Sequence, residues 1–122
     1  MVGHALVRRF MRLPDGRTLW FHVDAARMLH SLASSGDPQV CAHLAERRGY
    51  KPILEHLAGS RYPVMRAEAA AAMRALGPHL ALCWDNLQDH DRELIRTRLN
   101  DLASDQESDA VAQDAQAALR SL

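Results

Sequence analysis

The sequence predicts an all-α fold of roughly seven helices, on three observations. The first is that aromatic residues make up only 5% of the 122 residues, and the second is that alanine is abundant within a hydrophobic share of 48%. Alanine is the strongest helix former, and small side chains let neighbouring helix axes approach closely. The third observation is a helical pattern that occurs three times. We expect one domain, because domains of about 100–150 residues are the commonest.

The repeated pattern covers residues 23–32, 67–76 and 113–122, at spacings of 44 and 46 residues. In each copy an acid precedes an alanine, a large apolar residue follows four positions later, and a leucine closes the copy. A residue that can carry positive charge recurs at one position of each copy: His30, Arg74 and Arg120. Positions three and four apart share one face of a helix. Each copy therefore predicts an amphipathic helix that other helices must cover.

Local start and stop signals set the elements of the first half. Helices are predicted at residues 3–13, 18–33, 38–48 and 50–59. The turn before the third of these contains Asp37 as a helix N-cap and Pro38 at the first helical position. Gly49 follows the third helix and is predicted to take the left-handed conformation that ends many helices.

The second half is predicted from similar signals. After a linker at residues 60–63, the second copy forms a long alanine-rich helix that Gly77 and Pro78 are expected to end. Further helices are predicted at 79–87 and 89–103, the latter with an apolar face of Leu94, Ile95, Leu99 and Leu102. An acidic turn at residues 104–109 leads into the third copy, whose glutamines and aspartates suit a polar outer face.

Residues 38–77 resemble one armadillo repeat: a short helix, a glycine, a Pro-Ile-Leu-Glu-His-Leu helix and a long alanine-rich helix. The resemblance extends less clearly to residues 18–33 and 79–122, and the last unit is equally similar to a HEAT-type hairpin. It implies a single domain over residues 1–122, folded as a right-handed α-solenoid of about 2.5 armadillo/HEAT-like repeats. The implied units are approximately 1–33, 34–77 and 78–122.

The resemblance also implies function, since such solenoids hold other macromolecules on the surface formed by the last helix of each unit. We expect a non-catalytic protein–protein interaction module, acting as an adaptor, a scaffold or an accessory subunit of a larger assembly. The partner is another protein, either folded or an extended peptide. The residues predicted to contact it are Arg47, Arg48, Tyr50, Lys51, Arg61, Tyr62, Arg66, Glu68 and Arg74.

A nucleic-acid-binding helical-repeat domain is the alternative, because charge is unevenly distributed along a chain of zero net charge. Residues 1–66 carry ten basic and five acidic residues, whereas residues 67–122 carry five and ten. Clustered arginines with interleaved tyrosines in the first half could contact phosphates. The balanced total charge removes the global field that such a protein normally has.

The sequence predicts neither an enzyme nor a cofactor, and no small-molecule substrate is expected. It contains no G-x-S-x-G or P-loop motif, and Cys41 and Cys83 form no disulfide framework. His79 and Cys83 share a helix face near His90, but no spaced ligand set completes a zinc site. No apolar run is long enough to span a membrane. An intracellular, cytoplasmic location is predicted, with the mitochondrial matrix as the alternative because the N-terminus is arginine-rich and acid-poor.

Overall fold

The computed structural model of the chain describes residues 16–35 and 39–122, with side chains from residue 22 onward. Within these ranges the protein consists of helices and turns, and no strand occurs, which confirms the all-α prediction. Six helices lie in the described ranges, slightly fewer than the sequence predicted for the chain. The helix predicted at residues 3–13, and the start signal of Asp37 and Pro38, lie outside the described residues.

The first two helices bury one face each. Helix α1 spans Gly16–Ser35, and helix α2 spans Gln39–Arg47. Buried side chains recur at helical spacing along both: Val23, Ala26, Leu29 and Ala33 in α1, and Val40 and Leu44 in α2. This spacing places them on the stripe that an amphipathic helix turns toward a core.

The turn after α2 differs from the prediction. Arg48, not Gly49, takes the left-handed conformation, with φ of 54°, while Gly49 has φ of −59°. The prediction of a left-handed cap at Gly49 is therefore wrong. Glycine fits there because the backbone is crowded: a Cβ at Gly49 would lie 2.5 Å from Nε2 of His43 and 3.0 Å from Cδ1 of Leu29.

Helix α3 begins as one α-helical turn at Tyr50–Pro52 and continues as a π-helical segment at Ile53–Leu57. The N–H of Ala58 donates to the carbonyl of Ile53 at 3.1 Å, the wider bond of a π-turn. Pro52 lies in the first turn, where a backbone N–H has no partner within the helix, so its missing N–H removes no helical hydrogen bond. The predicted helix at 50–59 is present, but its widened turn was not foreseen.

Helix α4 spans Pro63–Cys83 and runs through the point where the sequence predicted a break. The prediction that Gly77 and Pro78 end this helix is wrong, and residues 79–83 are its last turn. Pro78 lies on the exposed side, where solvent can bind the carbonyl that its missing N–H leaves unpaired. Gly77 is buried against α6, and a Cβ there would lie 3.0 Å from the Cβ of Ser121.

The remaining chain forms a 3₁₀ turn at Trp84–Asn86 and two helices, α5 (Asp89–Ala103) and α6 (Asp109–Ser121). The α5 prediction is confirmed, and its buried face contains Ile95, Leu99 and Leu102. Ser108 caps α6 by accepting a hydrogen bond from the N–H of Val111 at 3.3 Å.

Helix α4 lies at the centre of the packing, between α1 and α6, and α2 also packs against it. Helix α3 packs against α1 and contacts α4 and α5, while α5 packs mainly against α6. One continuous core runs through all six helices, with α4 contributing its alanine- and methionine-rich side. The three copies of the sequence pattern therefore lie in helices that pack in chain order, α1 against α4 and α4 against α6.

Candidate functional site

The exposed side of α4 forms a nearly apolar stripe. Its residues recur every three or four positions, and only one is charged: Val64, Ala67, Ala71, Arg74, Pro78 and Leu82. Leu82 is 79% exposed and Val64 56% exposed, so two large apolar side chains stand in solvent at either end of the stripe. We call this stripe the α4 outer face. It lies on the middle helix of the three that carry the repeated pattern.

Two ion pairs border the α4 outer face. Arg27 of α1 donates to Oε1 of Glu68 at 2.8 Å, and Arg74 of α4 donates to Oδ1 of Asp114 in α6 at 2.8 Å. Glu68 and Asp114 occupy the same position in successive copies of the pattern. Each of these acids is bound by an arginine of the preceding copy, Arg27 from the fifth position of its copy and Arg74 from the eighth.

A recess of about 480 Å³ opens beside the α4 outer face. All three packed helices line it, with His30 and Ser34 from α1, four residues of α4 and Asp114 from α6. Its lining combines the small apolar side chains of Ala71 and Ala75 with the charged groups of Arg74 and Asp114.

Arg74 lies on the α4 outer face and Glu68 beside it. Both were predicted as partner contacts, and each is paired within the chain. Arg66 does not lie there. Its side chain is 13% exposed and binds Oδ2 of Asp105 and the carbonyl of Ser60, both at 2.8 Å. The hydrogen bond from Arg66 also lowers the pKa of the Asp105 carboxyl. Arg66 was predicted to contact a partner, but its side chain is instead bound to the loop before α6.

Arg48 and Tyr50, also predicted as contact residues, bind the buried carboxylate of Asp91 instead. Arg48 donates to both carboxylate oxygens at 2.7 Å, and the hydroxyl of Tyr50 donates to Oδ2 at 2.5 Å. Tyr50 and Asp91 are both fully buried. We call this group the Asp91 tie. It joins the turn between α2 and α3 to the first turn of α5, and it leaves neither side chain available to a partner.

The hydrogen bonds of the Asp91 tie change the acidity of its members. Arg48, and secondarily Tyr50, lower the pKa of Asp91 to about 2. Burial, with the nearby carboxylate, raises the pKa of the Tyr50 hydroxyl. The two shifts keep Asp91 charged and Tyr50 protonated over a wide pH range, as the hydrogen bonds require.

Arg61 and Tyr62 are placed together in the segment before α4. Arg61 donates to the Tyr62 hydroxyl at 2.9 Å, and its guanidinium lies 5.1 Å from the centre of the tyrosine ring. Tyr62 is partly buried against the core, whereas Arg61 is exposed. Of this predicted pair, only the arginine presents much of its surface.

Arg47 and Lys51, the last of the predicted contact residues, border a second recess of about 340 Å³, which we call the basic recess. Its other lining residues are His22, Arg48, Pro52, Glu55 and His56. The rings of His22 and His56 are stacked, 4.3 Å between centres and 5° between planes. Sequence reasoning missed these histidines, because nothing in the local pattern indicates that α1 and α3 bring them together.

The candidate zinc residues serve other purposes. The ring of His79 lies 3.1 Å from the carbonyl of Ala33, Cys83 is buried, and the Sγ of Cys41 lies 3.7 Å from the carbonyl of His79. Burial raises the pKa of the Cys83 thiol. In the described part of the chain, no three His, Cys, Asp or Glu side chains converge as a metal site would need.

None of the helices in the described ranges is both long and apolar enough to cross a membrane. Comparison of the chain with protein-family models, with curated proteins and with solved structures finds no match in any of the three.

Proposed function

We propose that this protein is a non-catalytic protein-interaction module inside the cell, an adaptor or an accessory subunit, built as a short right-handed armadillo/HEAT-like solenoid. The solenoid proposal is supported by the packing of the three pattern-bearing helices in chain order. It is also supported by ion pairs that join successive copies through the same acidic position, Arg27 with Glu68 and Arg74 with Asp114. Regular stacking of this kind is how helical-repeat proteins build extended binding surfaces.

The α4 outer face carries the functional proposal. A helix of a compact protein normally turns its large apolar side chains inward, yet Leu82 and Val64 stand in solvent on the central helix. Fully burying a Val or Leu side chain contributes about 1.5–3 kcal/mol, and covering these two would contribute the share that is still exposed. The alanines that line the adjoining recess leave space for a side chain of the partner. A folded protein that places an apolar anchor in this recess fits the arrangement best.

The test is a matched set of lysine substitutions. Val64→Lys with Leu82→Lys places two charges on the α4 outer face, whereas Asn100→Lys places a charge on the exposed side of α5. Tagged versions are purified from the native source after nuclease treatment, and the stoichiometric partner is quantified. We expect the α4 double variant to lose the partner by at least about tenfold, because charges must be buried on docking, and the α5 variant to retain it. Equal recovery by both variants contradicts the proposal.

Nucleic-acid binding remains the second candidate, and the observation that favours it is the basic recess. Arg47 and Lys51 present positive charge there beside two histidines. The patch is smaller than the sequence predicted, since Arg48 and Arg66 are bound to carboxylates. A steep fall of affinity with salt would identify phosphate binding, because phosphate contacts release counterions.

A further inference from the structure

The basic recess carries an inference about the chemistry of the partner. Its basic side chains come from consecutive segments: Arg47 ends α2, Arg48 forms the turn, and Lys51 begins α3. Arg48 is committed to Asp91, with both hydrogen bonds at 2.7 Å. Arg47 and Lys51 therefore supply the positive charge that a ligand would meet.

The internal neutralisation of these two charges is weak. Among the described residues, the carboxylate that lines the recess is Glu55, whose Oε1 lies 3.7 Å from Nζ of Lys51, with both side chains more than a third exposed. An exposed pair at that separation contributes little and is readily exchanged for another anion. Arg47 is exposed and makes no ion pair with the described residues. The described residues of the recess therefore carry a net positive charge.

Two stacked histidines also line the recess. His22 comes from α1 and His56 from α3, with ring centres 4.3 Å apart. Burial, and secondarily the charge of His56, lower the pKa of His22.

The size and lining of the recess discriminate between anions. A volume of about 340 Å³ admits a compact anionic group with a short stretch of chain. Among the side chains described from residue 22 onward, the two imidazoles are the aromatic rings that line it. A long polyanion would also meet the excess negative charge of residues 67–122. These features favour a short acidic peptide over a nucleic acid.

We propose that the basic recess binds an acidic segment of the partner protein, through carboxylate or phosphoryl oxygens. The proposal rests on the protein-interaction function but concerns a different surface from the α4 outer face. Arg47 and Lys51 hold the anion by charge-assisted hydrogen bonds.

Binding of defined probes tests the proposal. Fluorescence anisotropy of the purified chain is measured with a glutamate-rich octapeptide, a phosphoserine octapeptide, an uncharged octapeptide and a single-stranded oligonucleotide of matched charge. The two peptide arms distinguish carboxylate from phosphoryl recognition. We expect at least one acidic peptide to bind, with affinity falling about tenfold in the Arg47→Ala, Lys51→Ala double variant, because two charge-assisted contacts are lost. Arg120→Ala, which removes an exposed arginine of α6, should leave binding unchanged.

The proposal is overturned if neither acidic peptide binds, if the oligonucleotide binds more tightly than the peptides, or if the Arg47→Ala, Lys51→Ala variant binds undiminished. Leu82→Lys, which tests the α4 outer face, leaves peptide binding unchanged, so failure here and failure of the interaction function are separately visible.

Discussion

The Asp91 tie and the two ion pairs beside the α4 outer face use the same chemistry in opposite surroundings. The Arg48 to Asp91 distance is 2.7 Å, and the Arg27 to Glu68 and Arg74 to Asp114 distances are each 2.8 Å. The Asp91 side chain is 1% exposed, whereas the Glu68 and Asp114 side chains are 24% and 25% exposed, and their arginines 57% and 60%. Burial, not distance, decides how much each pair contributes. A buried carboxylate depends on its partners, while an exposed one is also solvated by water.

The largest loss of folding stability is expected from Asp91→Ala. This change leaves the Tyr50 hydroxyl buried without its acceptor and Arg48 without its counterion. Removing one partner of a buried pair costs roughly 3–5 kcal/mol. Urea denaturation followed by circular dichroism measures the free energy of unfolding. A loss no larger than that of an exposed-pair variant would show that burial does not distinguish the two regions.

Acid should weaken the Asp91 tie selectively. A carboxyl with a lowered pKa contributes stability that is fully present above its unfolded value of 3.8 and is lost as the pH falls toward about 2. The contribution corresponds to about 2 kcal/mol. We expect the wild type to lose more stability between pH 5 and pH 2 than Asp91→Asn does, in parallel urea titrations. Identical pH profiles would contradict the assignment.

The loss of folding stability on removing the ion pair of Arg66 should be intermediate. Its guanidinium is 13% exposed and the Asp105 side chain 4% exposed, so water replaces their bonds less completely than at the exposed pairs. Asp105 also accepts from the N–H of Glu107 at 2.8 Å, which shapes the loop before α6. We expect Arg66→Ala to lower the free energy of unfolding by about 1–2 kcal/mol. Hydrogen exchange in α6 should rise with it, and unchanged exchange there would argue against this tie.

The smallest loss of folding stability is expected at the α4 outer face. Arg74→Ala removes a pair that water can replace on both sides, at a cost of roughly 0.5 kcal/mol or less. If Arg74 borders the partner site as proposed, the same variant weakens partner binding measured by quantitative co-purification. A variant that loses stability without affecting the partner would reverse that assignment.

The helix positions were largely predictable because they depend on local periodicity. Ile95, Leu99 and Leu102 were predicted to face the core of α5 and do so, since residues three and four apart share a helix face whatever surrounds them. The exceptions are Gly77 and Pro78, which favour a helix end locally. Packing of α4 between α1 and α6 overrides them: Gly77 permits close approach to Ser121, while Pro78 lies at the surface.

The candidate site was predictable only in part. The sequence placed Glu68 and Arg74 beside the exposed side of α4 because the pattern copies indicated which faces of the helix are buried. It could not tell that Arg48 and Arg66 are bound to Asp91 and Asp105, because that depends on helices elsewhere in the chain. The stacking of His22 on His56 was equally hidden, since α1 and α3 meet only in the folded molecule.

The sequence by itself determined that this protein is helical, where most of its helices lie, and which faces they bury. Only the tertiary structure decided which charged side chains remain available. Periodicity is a property of neighbours along the chain, whereas the acids that bind Arg27, Arg48, Arg66 and Arg74 lie 39 to 43 residues away from them. A shift of a few ångströms in helix packing decides whether a charged side chain reaches an acid on another helix or stays available at the surface. No local sequence pattern encodes that distance.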